Sequence, residues 1–211
     1  MTTARTRRPR VGVFGGTFDP PHLGHLALAE RARDELDLER VLFVPAAHPP
    51  HKRGTWATPI AHRLAMTRLA VRGHRGFTVS DLEVRRAGAS YTVETLRELR
   101  RRHPGTDWWL LLGEDSLRGL KRWRHPHEIA ALARIAVAPR SPLPRGAGRG
   151  RADSRTPAWL RGRVRWLSSP VLEIASRDLR ARARRGDSLR VLVPDTVEAY
   201  ARRHRLYRRP A

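Results

Sequence analysis

Two histidines three residues apart, His22 and His25, are the groups in this chain best placed to do chemistry. They end the stretch Gly15-Gly16-Thr17-Phe18-Asp19-Pro20-Pro21-His22-Leu23-Gly24-His25. At spacing i, i+3 both imidazoles lie on one face of a first helical turn, and Gly24 between them leaves that face open. Glycines ahead of a helix start let the backbone approach a ligand and leave amide N–H groups pointing outward, which is the physics of an anion site. No Gly-Lys-Ser/Thr follows, so this is not a Walker loop, and it is not a Gly-x-Gly-x-x-Gly dinucleotide turn. A zinc site would need a third ligand, and none stands nearby in the sequence. The chemistry these residues suit is the holding of a phosphate-bearing ligand.

Such a turn has to be carried between a buried strand and a helix. Val11-Gly12-Val13-Phe14 reads as a first strand over 11–15, and a helix is expected from His22 to Leu36. Val41–Val44 is a second strand, followed by a proline-rich loop with His48-Pro49-Pro50-His51-Lys52. A helix opens after Pro59, with Leu64, Met66, Leu69 and Ala70 at core-like spacing. Phe77–Val84 alternates and predicts a strand. Thr92–Arg102 carries the apolar stripe Val93, Leu96 and Leu99. Trp108–Leu112 predicts a central strand closing on Gly113-Glu114-Asp115. Short helices over Leu117–Lys121 and Pro126–Ala133, and a strand over Ile135–Ala138, come next. Arg140–Gly162, rich in Pro, Gly and Arg, reads as a flexible loop that buries little. A strand over Val164–Leu167 and helices over Arg177–Arg185 and Pro194–Arg203 follow. The alternation predicts an α/β fold: a Rossmann-like open, mostly parallel sheet with helices on both faces and a C-terminal helical segment. Right-handed crossovers would bring the strand C-termini to one edge, where ligands bind.

The 211 residues can bury one sizeable core, expected as a single domain over 11–211 behind a disordered basic arm at 1–10. No run of about 18 apolar residues suggests a membrane span. Met1–Arg10 lacks the apolar core of a secretion signal, so a cytoplasmic protein is expected. With no cysteine, disulfides, thiolate catalysis and cysteine-ligated zinc are excluded. The formal net charge of +23 invites a nucleic-acid reading. Yet the excess is almost all arginine, with lysine only at Lys52 and Lys121, and no zinc finger, RNP sequence or convincing helix-turn-helix accompanies it. No specific nucleic-acid partner is expected, only weak, salt-sensitive affinity. Self-association into a homo-oligomer is left open.

The stretch Gly15–His25 resembles the signature of the HxGH nucleotidyltransferase superfamily, whose members transfer a nucleotidyl group and release pyrophosphate. Four further stretches narrow the resemblance: Pro49-Pro50-His51-Lys52, Ser90-Tyr91-Thr92, Gly113-Glu114-Asp115-x-Leu117 with Trp123, and Leu192-Val193-Pro194-Asp195. Together they resemble the bacterial nicotinate-nucleotide adenylyltransferases over nearly all of residues 11–207. The resemblance implies catalytic roles for His22 and His25. It implies ATP contacts from Gly15, Gly16, Thr17, Phe18, His22, Gly24, His25, Ser176 and Arg180, with Mg²⁺ arriving on ATP and no protein metal site. Nicotinate mononucleotide would be bound by Lys52, Thr92, Asp115, Trp123 and the main chain of Arg124.

Each assignment has a readable chemistry beside a blander alternative. Thr92 stands where a helix begins, so its hydroxyl and the free amides suit a carboxylate, or it is simply an N-cap. The Trp123 indole suits an electron-poor pyridine ring, or is a partly exposed helix-end aromatic. Asp115 suits ribose hydroxyls, or caps the next helix. Lys52 suits phosphate, or is a solvated charge. The second phosphate motif departs from the family pattern Ile-Ser-Ser-Thr-x-Ile-Arg: here it is Ile174-Ala175-Ser176-Arg177-Asp178-Leu179-Arg180. Two hydroxyl donors are missing, while Ser176 could cap the helix and Arg177 could offer a charge-assisted replacement. Transfer to nicotinamide mononucleotide or phosphopantetheine, or an RNA-binding relative without turnover, are the competing readings.

Overall fold

The computed structural model describes residues 8–49, 58–86, 88–140, 155–168, 172 and 174–207. Apolar alternation builds the sheet from both sides. In β4 (Asp107–Gly113), Trp109 and Leu111 join one core while Trp108, Leu110 and Leu112 join the other. That is the period-2 pattern of a strand buried on both faces. With β1 (Arg10–Gly16), β2 (Arg40–Pro45), β3 (Phe77–Val79), β5 (Arg134–Ala138) and β6 (Val164–Trp166) it forms an all-parallel sheet. The order is β3-β2-β1-β4-β5-β6. Val13 lies opposite Leu42 on one side and Leu110 on the other.

Helices α1 (Leu23–Leu36) and α2 (Ile60–Val71) cover one face, around Phe43 and Met66. The opposite face carries α3 (Leu82–Arg85), α4 (Thr92–Arg102), α5 (Glu114–Gly119) and α6 (Pro126–Leu132), around Leu96, Leu117 and Ile129. The chain then returns to the first face with α7 (Ser176–Arg185) and α8 (Asp195–Arg203), through Leu179 and Val197. Strand order therefore reverses between β1 and β4, and the connections leaving those two strands diverge to opposite faces. A crevice at such a switch point, outside the strand C-termini, is where α/β sheets bind ligands. Gly12 keeps β1 tight against its surroundings: a Cβ there would lie 3.0 Å from Leu38 and 3.1 Å from Leu111.

The expected class of fold is the one present, with local differences. Residues 1–7, which make up most of the expected basic arm, lie outside the described residues, and β1 already begins at Arg10. The alternation of Phe77–Val84 does not continue as a strand. β3 ends at Val79, the Leu82 amide donates to Ser80 Oγ at 3.2 Å, and the chain turns into α3. That turn buries Glu83, which accepts a hydrogen bond from the Thr95 hydroxyl. Of the loop expected over 140–162, residues 141–154 lie outside the described residues. Its last part buries more than expected: Leu160 is fully enclosed in a short 3₁₀ turn (Ala158–Leu160), and Trp166 Nε1 donates to Thr156 Oγ1 at 2.9 Å.

Candidate functional site

The glycine turn sits at the C-terminal end of β1, in the crevice. Its glycines have different jobs. Around Gly15 there is open space, so the backbone is accessible there. At Gly16 a Cβ would lie 2.9 Å from the Phe18 ring, so this glycine serves packing within the turn. Phe18 takes a positive φ of 49° and is buried, its ring 5.5 Å from Phe14, 5.6 Å from Phe43 and 5.0 Å from His25. The Phe18 side chain is thus a wedge under the site. At Gly24 a Cβ would lie 3.1 Å from His22 Nδ1 and 3.3 Å from the Leu172 carbonyl oxygen, so glycine leaves the His22 ring its place.

His22 is the N-cap of α1 and His25 its third residue. The His22 amide donates to His25 Nδ1 at 3.1 Å, and the two rings stack with centroids 3.6 Å apart. Because His25 Nδ1 accepts, the neutral ring carries its proton on Nε2. His22 is buried, and its Nδ1 has no hydrogen-bond partner among the described residues. Burial lowers the His22 pKa to about 4. Burial, and then the neighbouring His22, hold His25 well below its ordinary value. Two neutral, desolvated imidazoles stand at the positive end of a helix dipole.

The second phosphate motif is fastened directly to this turn. Ser176 Oγ donates to the Pro20 carbonyl at 2.9 Å, and Arg180 Nη1 to the Asp19 carbonyl at 2.7 Å. The expectation that Ser176 caps α7 is therefore corrected: Ala175 is the N-cap, and Ser176, one residue inside the helix, reaches back to the turn. Arg177 is exposed and pairs with Asp178 at 3.2 Å. Beneath, Arg63 is almost wholly buried and spans three segments. It donates to the carbonyls of Thr17 at 2.9 Å, Ala46 at 2.7 Å, Ala47 at 3.2 Å and Thr58 at 2.8 Å.

On the far side of the crevice the expected acceptor residues partly converge. His48 and Ser90 clip the loop after β2 to the head of α4: the His48 amide donates to Ser90 Oγ and the Ser90 amide to the His48 carbonyl, both at 3.0 Å. Thr92 is the first residue of α4 rather than its cap, which is Tyr91. The Arg124 guanidinium lies 4.9 Å from the centre of the Tyr91 ring, a cation–π contact that joins the Trp123-Arg124 segment to the start of α4. Trp123 is half-buried against the same core as Tyr91. Asp115 is exposed in the first turn of α5 and ion-pairs with Arg140. Lys52 lies outside the described residues.

Sequence reading gave no role to Arg63 or, although it quoted the stretch around it, to Glu114. Glu114 is buried and accepts from the Arg140 amide at 2.9 Å and from Arg118 at 2.7 Å, with Arg155 at 3.6 Å. Burial alone would push its carboxyl up, but these donors outweigh it and hold it below the usual range. The only signal in the sequence was its place immediately after the central strand's Gly113.

A parallel sheet in this order, with paired histidines heading the helix at its switch point, defines a Rossmann-like protein whose candidate site lies at that crevice. Residues 13–182 match the cytidylyltransferase-like family. The chain is 47% identical over 199 residues to a probable nicotinate-nucleotide adenylyltransferase of Thermomicrobium roseum, covering 94% of this chain and 92% of the relative. It is 43% identical over 210 residues to one from Synechococcus, over the full length of both. Its fold matches Plasmodium falciparum nicotinic acid mononucleotide adenylyltransferase complexed with NaAD, with TM-score 0.76 at 15% identity over 94% of this chain and 97% of that one. The chain belongs to the cytidylyltransferase-like family and, within it, to the nicotinate-nucleotide adenylyltransferases.

Proposed function

We propose that this protein transfers the adenylyl group of ATP to nicotinate mononucleotide, giving nicotinate adenine dinucleotide and pyrophosphate. The observation that carries the reading is the stacked His22–His25 pair at the β1/β4 switch point, in a chain 47% identical to a relative of that name. The acceptor phosphate is a competent nucleophile near neutral pH, so the site needs no general base. It attacks the α-phosphorus in line, the bond to the bridging oxygen breaks, and pyrophosphate leaves with the charge. Catalysis is positioning and neutralisation. His25 Nε2–H, the α1 amides and, on phosphate binding, a protonated His22 imidazole stabilise the developing charge. Gly15 offers its open backbone to the nucleotide, while Ser176 and Arg180 hold the α7 side of the phosphate site against the turn.

Thr92 at the head of α4 and the Trp123-Arg124 segment, tied to it through Tyr91, receive the acidic pyridine ring. Asp115 and Lys52 are assigned to the acceptor's ribose and phosphate. Among the described residues no three His, Cys, Asp or Glu side chains come together to hold a metal. On the proposed reading Mg²⁺ would arrive with ATP, carried by the phosphates and water, where it offsets polyphosphate charge. Among the described residues no helix is long and apolar enough to cross a membrane. The cytoplasmic location expected from the sequence is part of the proposal. The test is pyrophosphate release with ATP and, in turn, nicotinate mononucleotide, nicotinamide mononucleotide and phosphopantetheine. The nicotinate substrate should be preferred; faster turnover with another acceptor would reassign the enzyme.

A further inference from the structure

Three residues ahead of His22, Asp19 is almost completely buried. A carboxylate beneath a phosphate site would repel the ligand if it faced it, and this one faces inward. Tyr207 donates its hydroxyl to Asp19 Oδ1 at 2.8 Å across 188 residues of chain, and the Thr58 amide donates to Oδ2 at 3.2 Å. Arg180 Nη1 lies 3.9 Å from Oδ2 while donating to the Asp19 main-chain carbonyl. The Tyr207 hydroxyl also lies 3.8 Å from Met66 Sδ in α2. Burial, and then the Asp19 charge, push its phenol's titration upward, so it remains a donor throughout the working range.

We infer that Tyr207 is a positioning residue of the phosphate site: its hydroxyl fixes the Asp19 carboxylate and, through it, the course of the backbone from Asp19 to His22. The inference rests on the adenylyl-transfer reading above. Without that hydroxyl, Oδ1 is left buried with one donor fewer, an uncompensated loss for a charged acceptor. The nearest remedy is Arg180. Turning the carboxylate toward it draws the guanidinium off the Asp19 carbonyl, and the segment that carries His22 loses its tether to α7. The His22 amide then no longer aims at His25 Nδ1. The loss falls on ATP, whose phosphates both histidines and α7 are assigned to hold, more than on the acceptor.

Steady-state kinetics of Tyr207→Phe, whose ring keeps its packing near Met66, decide the matter. The expected result is a fall in kcat of about tenfold and a raised KM for ATP, with KM for nicotinate mononucleotide within about twofold. The melting temperature should stay within about 3 °C of wild type. Asp19→Asn should show the same split, and the double variant should be no worse than Asp19→Asn alone, as for two groups acting through one bond. Unchanged kcat and KM in Tyr207→Phe, with or without a lower melting temperature, overturn the inference, as does an additive double variant. If the wild type forms no product with any acceptor, the adenylyl-transfer reading fails on its own. Amide exchange without substrate then decides Tyr207: faster exchange confined to residues 17–25 in Tyr207→Phe supports its role, and unchanged or uniformly faster exchange overturns it.

Discussion

His22 and His25 lie face to face, with ring centroids 3.6 Å apart and planes inclined by 24°, and one amide hydrogen of the first is donated to the ring of the second. Two cations do not share such a place, and burial holds both rings neutral at pH 7. The unfolded chain binds a proton at each histidine below its ordinary pKa of 6.5, whereas folded His22 refuses one until about 4. Unfolding therefore takes up protons in that window. Stability from the pair is complete above pH 6.5 and is lost as pH falls from 6.5 toward 4, with His22 alone contributing on the order of 3 kcal/mol. Urea denaturation near neutral pH and near pH 5 checks this: wild type should lose more stability than His22→Gln, and equal losses would mean that the ring titrates normally.

Phosphate oxygens placed against these rings reverse the balance, because a nearby anion favours the protonated imidazole. ATP binding near pH 6 should take up protons. Calorimetry in buffers of differing ionisation enthalpy would show a heat that varies with the buffer. The variation should be absent in His22→Gln; a buffer-independent heat in wild type contradicts the phosphate role of the pair.

Removing the His25 ring takes away the Nε2–H donor and the acceptor of the His22 amide together. His25→Ala should lower kcat by roughly 10²- to 10³-fold, the size seen for a lost donor at a charge-developing centre. The far-UV circular dichroism should be unchanged, because α1 is also held by buried Leu26, Ala29, Ala32 and Leu36. Near-normal turnover would remove His25 from the catalytic set.

Trp123→Ala should raise KM for nicotinate mononucleotide by about tenfold, the worth of one aromatic stack, with a smaller change for ATP. The comparison matters because Trp123 also packs against the α4–α6 core. Equal effects on both substrates would make it a structural residue.

The turn assigned to phosphate was readable because it is local. Alternating Val11 and Val13, the glycines after them and the i, i+3 histidines fall within fifteen residues, and each reports its own backbone preference. What escaped was long-range or disguised. Arg63 sits on a helix among apolar residues, where an arginine ordinarily reads as a solvated charge; only the fold brings the carbonyls of Thr17 and Ala46 to it. Tyr207 and Asp19 are too far apart in sequence for any spacing rule to join them. Phe77–Val84 kept a strand's alternation while Ser80 captured the Leu82 amide and turned the chain. Leu160 was hidden at the end of a stretch whose composition reads as loop, yet it fills the core beneath β5 and β6.

Arg63 has one more effect, on how the site melts. Its guanidinium is shared among the carbonyls of Thr17, Ala46, Ala47 and Thr58, and no one of these segments can peel away without stranding part of a buried cation. The turn after β1 and the residues just after β2, Ala46 and Ala47, therefore open as a single cooperative unit with the head of α2, instead of fraying separately as surface segments usually do. Their conformational entropy has been surrendered during folding, and a substrate that arrives there does not have to supply it again.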